Sequence, residues 1–192
     1  MNSKNCLLKQ EQNEDKRVLL HSCCAICSSY PISFLQDMGY EVITYFCNPN
    51  IYPKSEFAKR LEAQEILCRH FNSKLIVEDY RPEEFFERAK GFENEPEKGL
   101  RCDKCFQLRL EQTANKAIEL GIKKFTTSIV ISPHKNFSKI AEIASNIAIE
   151  NNLDYLKIDF KKNDGFLKTN RISRELNLYR QNYCGCKFSL RK

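Results

Sequence analysis

The feature of this sequence that most constrains its fold is the alternation of short apolar segments with longer segments of helical periodicity. The short segments are typical of strands, because each is a few residues long, apolar and rich in β-branched or aromatic side chains. Strands that alternate with helices favour a parallel sheet covered by helices on both faces, so the predicted fold class is α/β. In chain order, the predicted strands are Val18–Ser22, Val42–Phe46, Leu75–Val77, Phe125–Ile129 and Tyr155–Ile158.

Helical periodicity is clearest in three segments between these strands. Lys54–Phe71 is predicted to be a helix with a mostly polar surface. Two other segments carry apolar side chains spaced three and four residues apart, which places them on one helix face. These stripes are Phe106, Leu110, Ala114 and Ala117, and Phe137, Ile140, Ala144 and Ile147. Residues 159–192 are less regular and are expected to fold back over the sheet.

Length and composition indicate one domain. A chain of 192 residues fits one compact unit, and a domain of that size buries about 70% of the surface that its unfolded chain exposes. Residues 1–16 are polar and of mixed charge, so we expect a flexible tail before a single α/β domain at 17–192. We find no apolar signal core and no run near the roughly 20 residues of a membrane span, which predicts a cytoplasmic protein without a membrane partner.

Ten cysteines are more than a domain of this size needs for stability. In a reducing compartment, metal binding or redox chemistry is a better explanation of paired cysteines than structural disulfides. Ligands of open α/β sheets lie outside the carboxyl ends of the strands, and one group of cysteines follows the first strand. The three groups are Cys23, Cys24 and Cys27, then Cys102 and Cys105, then Cys184 and Cys186.

Four cysteines form the predicted ligand set, Cys23, Cys24, Cys102 and Cys105. The last two lie at a predicted helix start, where free N–H groups should stabilise the thiolates that bind metal. Four thiolates suit either zinc or a [4Fe–4S] cluster. Adjacent cysteines are unusual in zinc ribbons and favour the cluster, with a closed zinc site as the alternative. Asp103 is predicted either to cap this helix or to contact the metal.

Cys184 and Cys186 are predicted to be a redox-active pair. A disulfide between them closes a small, strained ring, and Gly185 provides the backbone freedom to close it. Strained disulfides are easily reduced, as a catalytic pair requires. A metal-binding pair or an inert chain end is the alternative. Of the other cysteines, Cys27 and Cys47 flank the predicted site and could serve either packing or chemistry, whereas Cys68 is expected in the core and Cys6 in the tail.

Together these motifs resemble the QueH-type epoxyqueuosine reductase family. The resemblance covers about residues 17–188. One position departs from the family pattern, Ile26, where a proline is expected; this change alters the stiffness of the loop rather than ligation. The residues that carry the resemblance are His21-Ser22-Cys23-Cys24-Ala25-Ile26-Cys27, Asn48-Pro49-Asn50-Ile51-Tyr52-Pro53 with Glu56 and Arg60, Arg101-Cys102-Asp103-Lys104-Cys105-Phe106 with Arg109 and Leu110, Thr127, Ser132-Pro133-His134-Lys135, and Tyr179-Arg180-Gln181-Asn182-Tyr183-Cys184-Gly185-Cys186.

The resemblance implies a reaction and its cofactors. Members of the family reduce epoxyqueuosine to queuosine at the wobble position of tRNA, the last step of queuosine biosynthesis, without cobalamin. The implied cofactors are a [4Fe–4S] cluster and an additional iron ion, for which Cys27, Asp103 and Cys47 are candidate ligands. Because a cluster usually passes one electron at a time, the Cys184 and Cys186 dithiol is predicted to store or relay the second.

The implied fold is a Rossmann-like sheet of the adenine-nucleotide α-hydrolase (PP-loop) group. That group binds pyrophosphate with a Gly-rich loop at the position where this sequence has Cys23 and Cys24, so use of ATP is not expected. Two alternatives to the reductase are a zinc-stabilised RNA-binding module without catalysis and a PP-loop tRNA-modifying ATPase with an auxiliary cluster.

The predicted partners are a tRNA that carries epoxyqueuosine and an electron donor that the sequence does not identify. A net charge of +6 is compatible with binding to RNA. Candidates for contact with tRNA phosphates are Arg60, Arg101, Arg109, Lys135, Arg171 and Arg180. Candidates for proton delivery or substrate contact are Tyr30, Tyr52, Asp103 and Arg180.

Overall fold

The computed structural model describes residues 15–190. Up to residue 89, strands and helices alternate strictly. Cys6 and most of the predicted tail lie outside the described residues, so the domain boundary after residue 16 stays a prediction. The elements are β1 (Arg17–His21), α1 (Ala25–Asp37), β2 (Glu41–Phe46), α2 (Lys54–His70), β3 (Lys74–Val77), α3 (Pro82–Ala89), α4 (Leu100–Glu119), β4 (Lys124–Thr127), α5 (Phe137–Glu150), β5 (Asp154–Tyr155) and α6 (Gly165–Glu175), with two 3-10 turns at Ser128–Ile131 and Lys187–Ser189.

The five strands form one parallel sheet in the order β3-β2-β1-β4-β5. β1 lies at its centre, and Val18, Leu19 and Leu20 are fully buried there, as expected for a strand with helices on both faces. The chain order of the strands reverses on the two sides of β1. In such sheets the crevice between the two strands at this switch point binds the ligand, so the carboxyl ends of β1 and β4 mark the place for a site. The predicted α/β class is confirmed.

The helices form two contacting groups. α1 packs against α2 and α6, whereas α4 packs against α3 and α5. The two groups cover the sheet and bury its continuous apolar strands. The predicted helix at Lys54–Phe71 is confirmed as α2, and both apolar stripes lie on the buried faces of α4 and α5. None of the helices within residues 15–190 is long and apolar enough to cross a membrane.

Two predicted strands are too long. β4 ends at Thr127, whose side chain accepts a hydrogen bond from the Ile129 amide and starts a 3-10 turn, so it does not reach Ile129. β5 comprises only Asp154–Tyr155, because it lies at the edge of the sheet and pairs with β4 alone through two residues.

Two of the helices, α3 and α6, were not predicted from the sequence. α6 lies inside the segment predicted to be irregular, and its exposed side chains outnumber its buried ones. It packs on α1 through Gly165, where a Cβ atom would lie 1.8 Å from the Phe160 carbonyl oxygen and 2.8 Å from Cε1 of Tyr30. Glycine allows this close contact because it has no side chain, so the contact adds nothing to an apolar periodicity. This is why the sequence did not predict α6.

Candidate functional site

The first cysteine group follows β1 and starts α1. Cys24 is the N-cap of α1, and its Sγ accepts a hydrogen bond from the Cys27 amide at 3.4 Å. The Sγ atoms of Cys23, Cys24 and Cys27 all lie within 4.8 Å of one another, and residues 15–190 contain no second such group of three or more potential metal ligands. This thiol triad lies at the carboxyl edge of the central strand, as the sequence predicts.

The three thiols of the triad differ in pKa. Hydrogen bonds from the Cys23 and Cys27 thiols hold the pKa of Cys24 well below its usual range. The pKa of Cys27 is raised well above it, because its proton is held by Cys23 and Cys24. The N-terminus of α1 adds a favourable positive potential at Cys24. Cys24 is therefore the most acidic thiol of the triad.

The second group lies on α4, whose N-cap is Gly99. Cys102 is half-buried and accepts a hydrogen bond from the Lys98 amide at 3.3 Å, and Cys105 is buried one turn further on. Burial raises the pKa of Cys102 and raises that of Cys105 to about 12. The expectation that the helix start would stabilise both thiolates was wrong, since the loss of hydration outweighs the helix dipole here.

One cleft of about 480 Å³ collects all three groups. The cysteines that line it are Cys23, Cys24, Cys27, Cys102, Cys105, Cys184 and Cys186. The structure thus brings the four predicted ligands to one cavity, although Cys102 and Cys105 do not join the triad at its close spacing. A single tetrahedral ion with bonds of about 2.3 Å holds its sulfurs roughly 3.8 Å apart. A four-iron cluster is wider and separates its ligands further.

Other predicted site residues lie away from this cleft. Asp103 does not cap α4, because the cap makes no side-chain hydrogen bond and the Asp103 carboxylate lies 4.0 Å from Nζ of Lys139. Cys47 is buried, donates to Oε1 of Gln112 at 3.0 Å, and has its pKa raised to about 12 by burial. Cys68 lies in the core, as predicted. Among the candidates for proton delivery or substrate contact, Arg180 lines the cleft, whereas Tyr30, Tyr52 and Asp103 do not.

Three of the arginines proposed for tRNA phosphates are buried and bind the protein itself. Arg101 donates to the carbonyls of Phe92, Glu93 and Glu95. Arg60 forms an ion pair with Glu56 at 2.8 Å and also binds backbone carbonyls. Arg60, Arg101 and Arg109 thus lie in the wall of the cleft and not on the outer surface, and their contact with phosphate stays a prediction. Arg171 and Arg180 are exposed.

Arg109 is a buried cation without a carboxylate partner among residues 15–190. Its Nη2 donates to Oδ1 of Asn48 at 2.7 Å, and its Nε has no acceptor. Burial opposes the charge, but the nearby sulfurs of Cys105 and Cys23 favour it and raise the pKa of Arg109. A buried cation beside these sulfurs suits an anionic metal-thiolate group.

Unpaired polar atoms are concentrated at the same cleft. Buried polar atoms in native proteins almost always have hydrogen-bond partners. Six buried side-chain atoms within residues 15–190 have none, and four of them belong to residues that line the cleft. These four atoms are Oδ1 of Asn50, Nε of Arg101, Nε of Arg109 and Oε1 of Gln181. Such a concentration indicates a cavity that receives a polar or charged group.

Residues 178–190, which we call the C-terminal strap, close one side of the cleft. Arg60 donates to the carbonyls of Cys184 at 3.0 Å and Tyr183 at 3.1 Å, and the Tyr52 amide donates to the Gly185 carbonyl at 2.8 Å. Gly185 has a φ of +130°, and a Cβ atom there would lie 2.9 Å from Nη1 of Arg60. Only glycine fits this close approach with that backbone conformation.

Sequence reasoning missed two residues that contact the thiol triad. Gln181 of the strap donates from Nε2 to Sγ of Cys24 at 2.9 Å. Ser128, directly after β4, accepts from the Cys23 amide at 3.0 Å and lies 3.4 Å from Sγ of Cys23. A polar residue at the end of the strand beside β1 was a usable signal for Ser128. Gln181 belongs to the C-terminal motif that carries the family resemblance, but the motif alone gave it no role beside the triad.

The fold has a solved counterpart. The structure of the U34-tRNA thiolase NcsA from Methanococcus maripaludis, with its [4Fe–4S] cluster, superposes with a TM-score of 0.56 and 12% identity, covering 91% of this chain and 60% of that chain. Likeness at this identity shows the fold alone. It confirms the predicted PP-loop-type architecture.

Sequence comparisons extend over nearly the whole chain. The model of the family described as "Epoxyqueuosine reductase QueH" matches residues 18–192. Relatives of that name are 41% identical in Staphylococcus epidermidis, over 95% of this chain and 80% of theirs, and 35% identical in Thermotoga maritima, over 90% of each. A third, from Acinetobacter baylyi, is 41% identical over 96% of this chain and 84% of its own. This chain belongs to the epoxyqueuosine reductase QueH family.

Proposed function

We propose that this chain reduces epoxyqueuosine to queuosine at the wobble position of tRNA, the activity for which its family is named. The observation that carries the proposal is the convergence of seven cysteines and a buried, unpaired arginine on one cleft at the switch point of the sheet. Removal of the epoxide oxygen as water takes two electrons and two protons, and thiols and thiolate-bound metals are the groups in proteins that supply electrons. A tRNA substrate implies work in the cytoplasm.

The donor set fits an iron–sulfur cluster, and we infer that Cys23, Cys24, Cys102 and Cys105 hold it. All four ligands are soft sulfur donors that line the cleft, and clusters are held by such thiolates. Arg109 provides the compensating positive charge close to Cys105 and Cys23. When bound, the cluster would supply electrons one at a time to a substrate in the cleft.

An additional iron ion is proposed beside this set, with Cys27 as its ligand. Cys27 belongs to the thiol triad and is not needed for the cluster. Asp103 and Cys47, the other candidates, do not line the cleft, so their support is weaker. For substrate contact we propose Arg180 together with the unpaired acceptors of Asn50 and Gln181.

The second proposed electron store is the dithiol of Cys184 and Cys186. Both are free thiols, both line the cleft, and Cys186 packs in one apolar cluster with Cys105. In the proposed reaction the dithiol gives up two electrons and two protons as its sulfurs join, and the epoxide oxygen leaves as water. The atoms and electrons of this step balance.

Anaerobic purification followed by iron and sulfide counts and a visible spectrum tests the cluster. Single Ser substitutions of Cys23, Cys24, Cys102 and Cys105 are each expected to lower iron content severalfold and to abolish turnover, because each removes a ligand. Cys68→Ser, in the core, is the matched control and should keep its iron. A colourless protein with one zinc and no sulfide would instead support the zinc-stabilised module.

Substitution of Cys27 tests the additional iron. Cys27→Ala is expected to keep the sulfide content of the cluster and to lose only the iron in excess of it, since its thiol is assigned to the extra ion. Iron and sulfide counts on the same anaerobic samples measure this. Unchanged iron with normal turnover would remove Cys27 from the site.

A further inference from the structure

The two thiols of the C-terminal strap occupy unlike environments. Cys184 is exposed, whereas Cys186 is 9% exposed and lies in the apolar cluster with Phe85, Leu108 and Cys105. Cys184 is therefore the more accessible of the two thiols. A bulky reagent or partner would meet Cys184 first.

Lys135 holds an ammonium group against the exposed sulfur. Its Nζ lies 3.2 Å from Sγ of Cys184 and 3.2 Å from Oε1 of Glu97, and 5.9 Å from the centre of the Phe106 ring. The lysine side chain is only 11% exposed although it ends in a charge. Burial disfavours that charge, yet a thiolate at Cys184 raises the pKa of Lys135 above its ordinary value. The ammonium is thus fixed within hydrogen-bonding distance of the exposed sulfur, to which it donates.

The backbone of the pair is anchored without use of its sulfurs. The buried guanidinium of Arg60 binds the carbonyls of Tyr183 and Cys184, and Glu56 holds the same guanidinium from the other side. None of these bonds involves a sulfur atom. The strap can therefore keep its position at the cleft while the thiols change oxidation state.

We propose that Cys184 is the outer thiol of this pair, that Lys135 is its positioning residue, and that a dithiol reductant renews the pair by exchange at Cys184. The inference rests on the proposed function, because it requires Cys184 and Cys186 to become a disulfide during turnover. It adds the chemical class of the electron donor and an order to the two sulfurs.

The exchange balances in two steps. One thiolate of the dithiol attacks Sγ of Cys184, the bond to Cys186 breaks, and Cys186 leaves and takes a proton. The second thiolate of the reductant then attacks the reductant sulfur that is bonded to Cys184 in the mixed disulfide. Cys184 leaves as a thiolate beside Lys135. The dithiol ends as a disulfide and has given two electrons to the pair. Cys186 carries one proton, and the Cys184 thiolate takes up the second, so the two protons of the reductant end on the pair. Stabilisation of the leaving thiolate accelerates the second step.

Mixed-disulfide formation with glutathione disulfide separates the two sulfurs. In reduced, iron-loaded Cys186→Ser protein the strap thiol is Cys184, and in Cys184→Ser it is Cys186. Peptide mass spectrometry at one fixed pH is expected to show exchange at Cys184 at least about tenfold faster than at Cys186. Equal rates, or faster exchange at Cys186, would overturn the assignment of the outer thiol.

The role of Lys135 is tested in the Cys186→Ser background. Lys135→Met is expected to slow exchange at Cys184 about tenfold, and Lys135→Arg to restore most of the rate, because the charge and not the fold is at issue. Lys123→Met is the matched control. That exposed lysine directly precedes β4, at the amino ends of the strands and away from the cleft. Its exchange rate should equal that of the parent. No effect of Lys135→Met would overturn the positioning role.

Turnover experiments separate this inference from the proposed function. After turnover of wild-type protein with substrate and no thiol, peptide mapping should show the disulfide between Cys184 and Cys186, and dithiothreitol should remove it. If no disulfide forms, the proposed redox pair fails. If it forms but yields to dithionite and not to dithiothreitol, the redox pair stands and the dithiol donor is overturned.

Discussion

At the scale of single residues, cysteines at different positions of this protein differ in the pKa of their thiols. Cys24 is an N-cap that receives hydrogen bonds from two neighbouring thiols, and its pKa falls. For Cys47 and Cys105, burial outweighs the hydrogen bonds from Tyr45 and Arg109 and raises the pKa of each thiol to about 12. Loss of hydration and hydrogen bonding to the charged form thus act in opposite directions on equally buried thiols.

Cys47 provides a test of this difference. Its folded pKa of about 12 lies above the ordinary value of 9, so the folded protein keeps a proton that the unfolded chain releases. The stabilising contribution of this thiol is therefore full below pH 9 and is lost as the pH rises from 9 toward 12. Urea unfolding at pH 8 and pH 10 should show a smaller alkaline loss of unfolding free energy in Cys47→Ala than in wild type.

The matched control for that measurement is Leu167→Ala, which shortens an exposed side chain that does not titrate. It should lose as much unfolding free energy on the alkaline side as wild type does. In the native protein at pH 9, iodoacetamide is also expected to modify Cys184 and to leave Cys47 unmodified. A Cys47→Ala protein with the wild-type pH dependence would contradict the assigned pKa.

At the scale of elements, the strands and helices whose apolar residues recur at regular spacing were predicted best. The central strands and the two striped helices were placed correctly because their burial follows a local period. The C-terminal strap and α6 are held by single contacts with distant parts of the chain. Arg60 binds the Cys184 carbonyl across a separation of 124 residues, and α6 packs on α1 at Gly165.

Gly165→Ala tests the close packing of α6 on α1. The added Cβ atom would overlap the Phe160 carbonyl oxygen, at 1.8 Å, and press on Tyr30. Overpacking of this kind lowers the free energy of unfolding by about 1–3 kcal/mol. Urea unfolding measures it, with Leu167→Ala as a control at an exposed position of the same helix, where the change should stay within about 0.5 kcal/mol. Equal stability of both variants would refute the tight packing.

At the scale of the whole molecule, topology gathers chemistry that lies far apart in the sequence. Cys23 and Ser128 are 105 residues apart and meet because β1 and β4 are adjacent parallel strands. The strap then brings Cys184 and Cys186 to the same cleft. The fold also separates the basic residues: Arg60, Arg101 and Arg109 are buried, whereas Arg171 and Arg180 are exposed.

Binding of the anticodon arm should depend steeply on salt. The chain has a net charge of +6, and each phosphate contact releases counterions, with a slope of roughly 0.7 to 0.9 per contact on a logarithmic plot. Arg180→Gln, an exposed residue of the cleft, is expected to reduce this slope by about one contact. Lys123→Gln, at the opposite edge of the sheet, should leave it unchanged. Affinity that does not vary with salt would contradict the electrostatic proposal.

The sequence by itself determined the α/β class, the strand after which a site opens, and the family. These follow from local periodicity and from residue types at short spacings, which any fold of this chain must satisfy. The placement of Cys23, Cys24 and Cys27 at the end of β1 could be predicted for this reason.

Only the tertiary structure decided which thiols meet, in which direction their pKa values shift, and which arginines are exposed. Hydration and charge at a side chain depend on every segment packed around it, and these segments are distant in sequence. Asp103 lies toward Lys139 rather than the cleft, and Arg109 faces the cysteines instead of solvent. Lys135 meets Cys184 because the strap returns across the carboxyl edge of the sheet, a contact that no local pattern encodes.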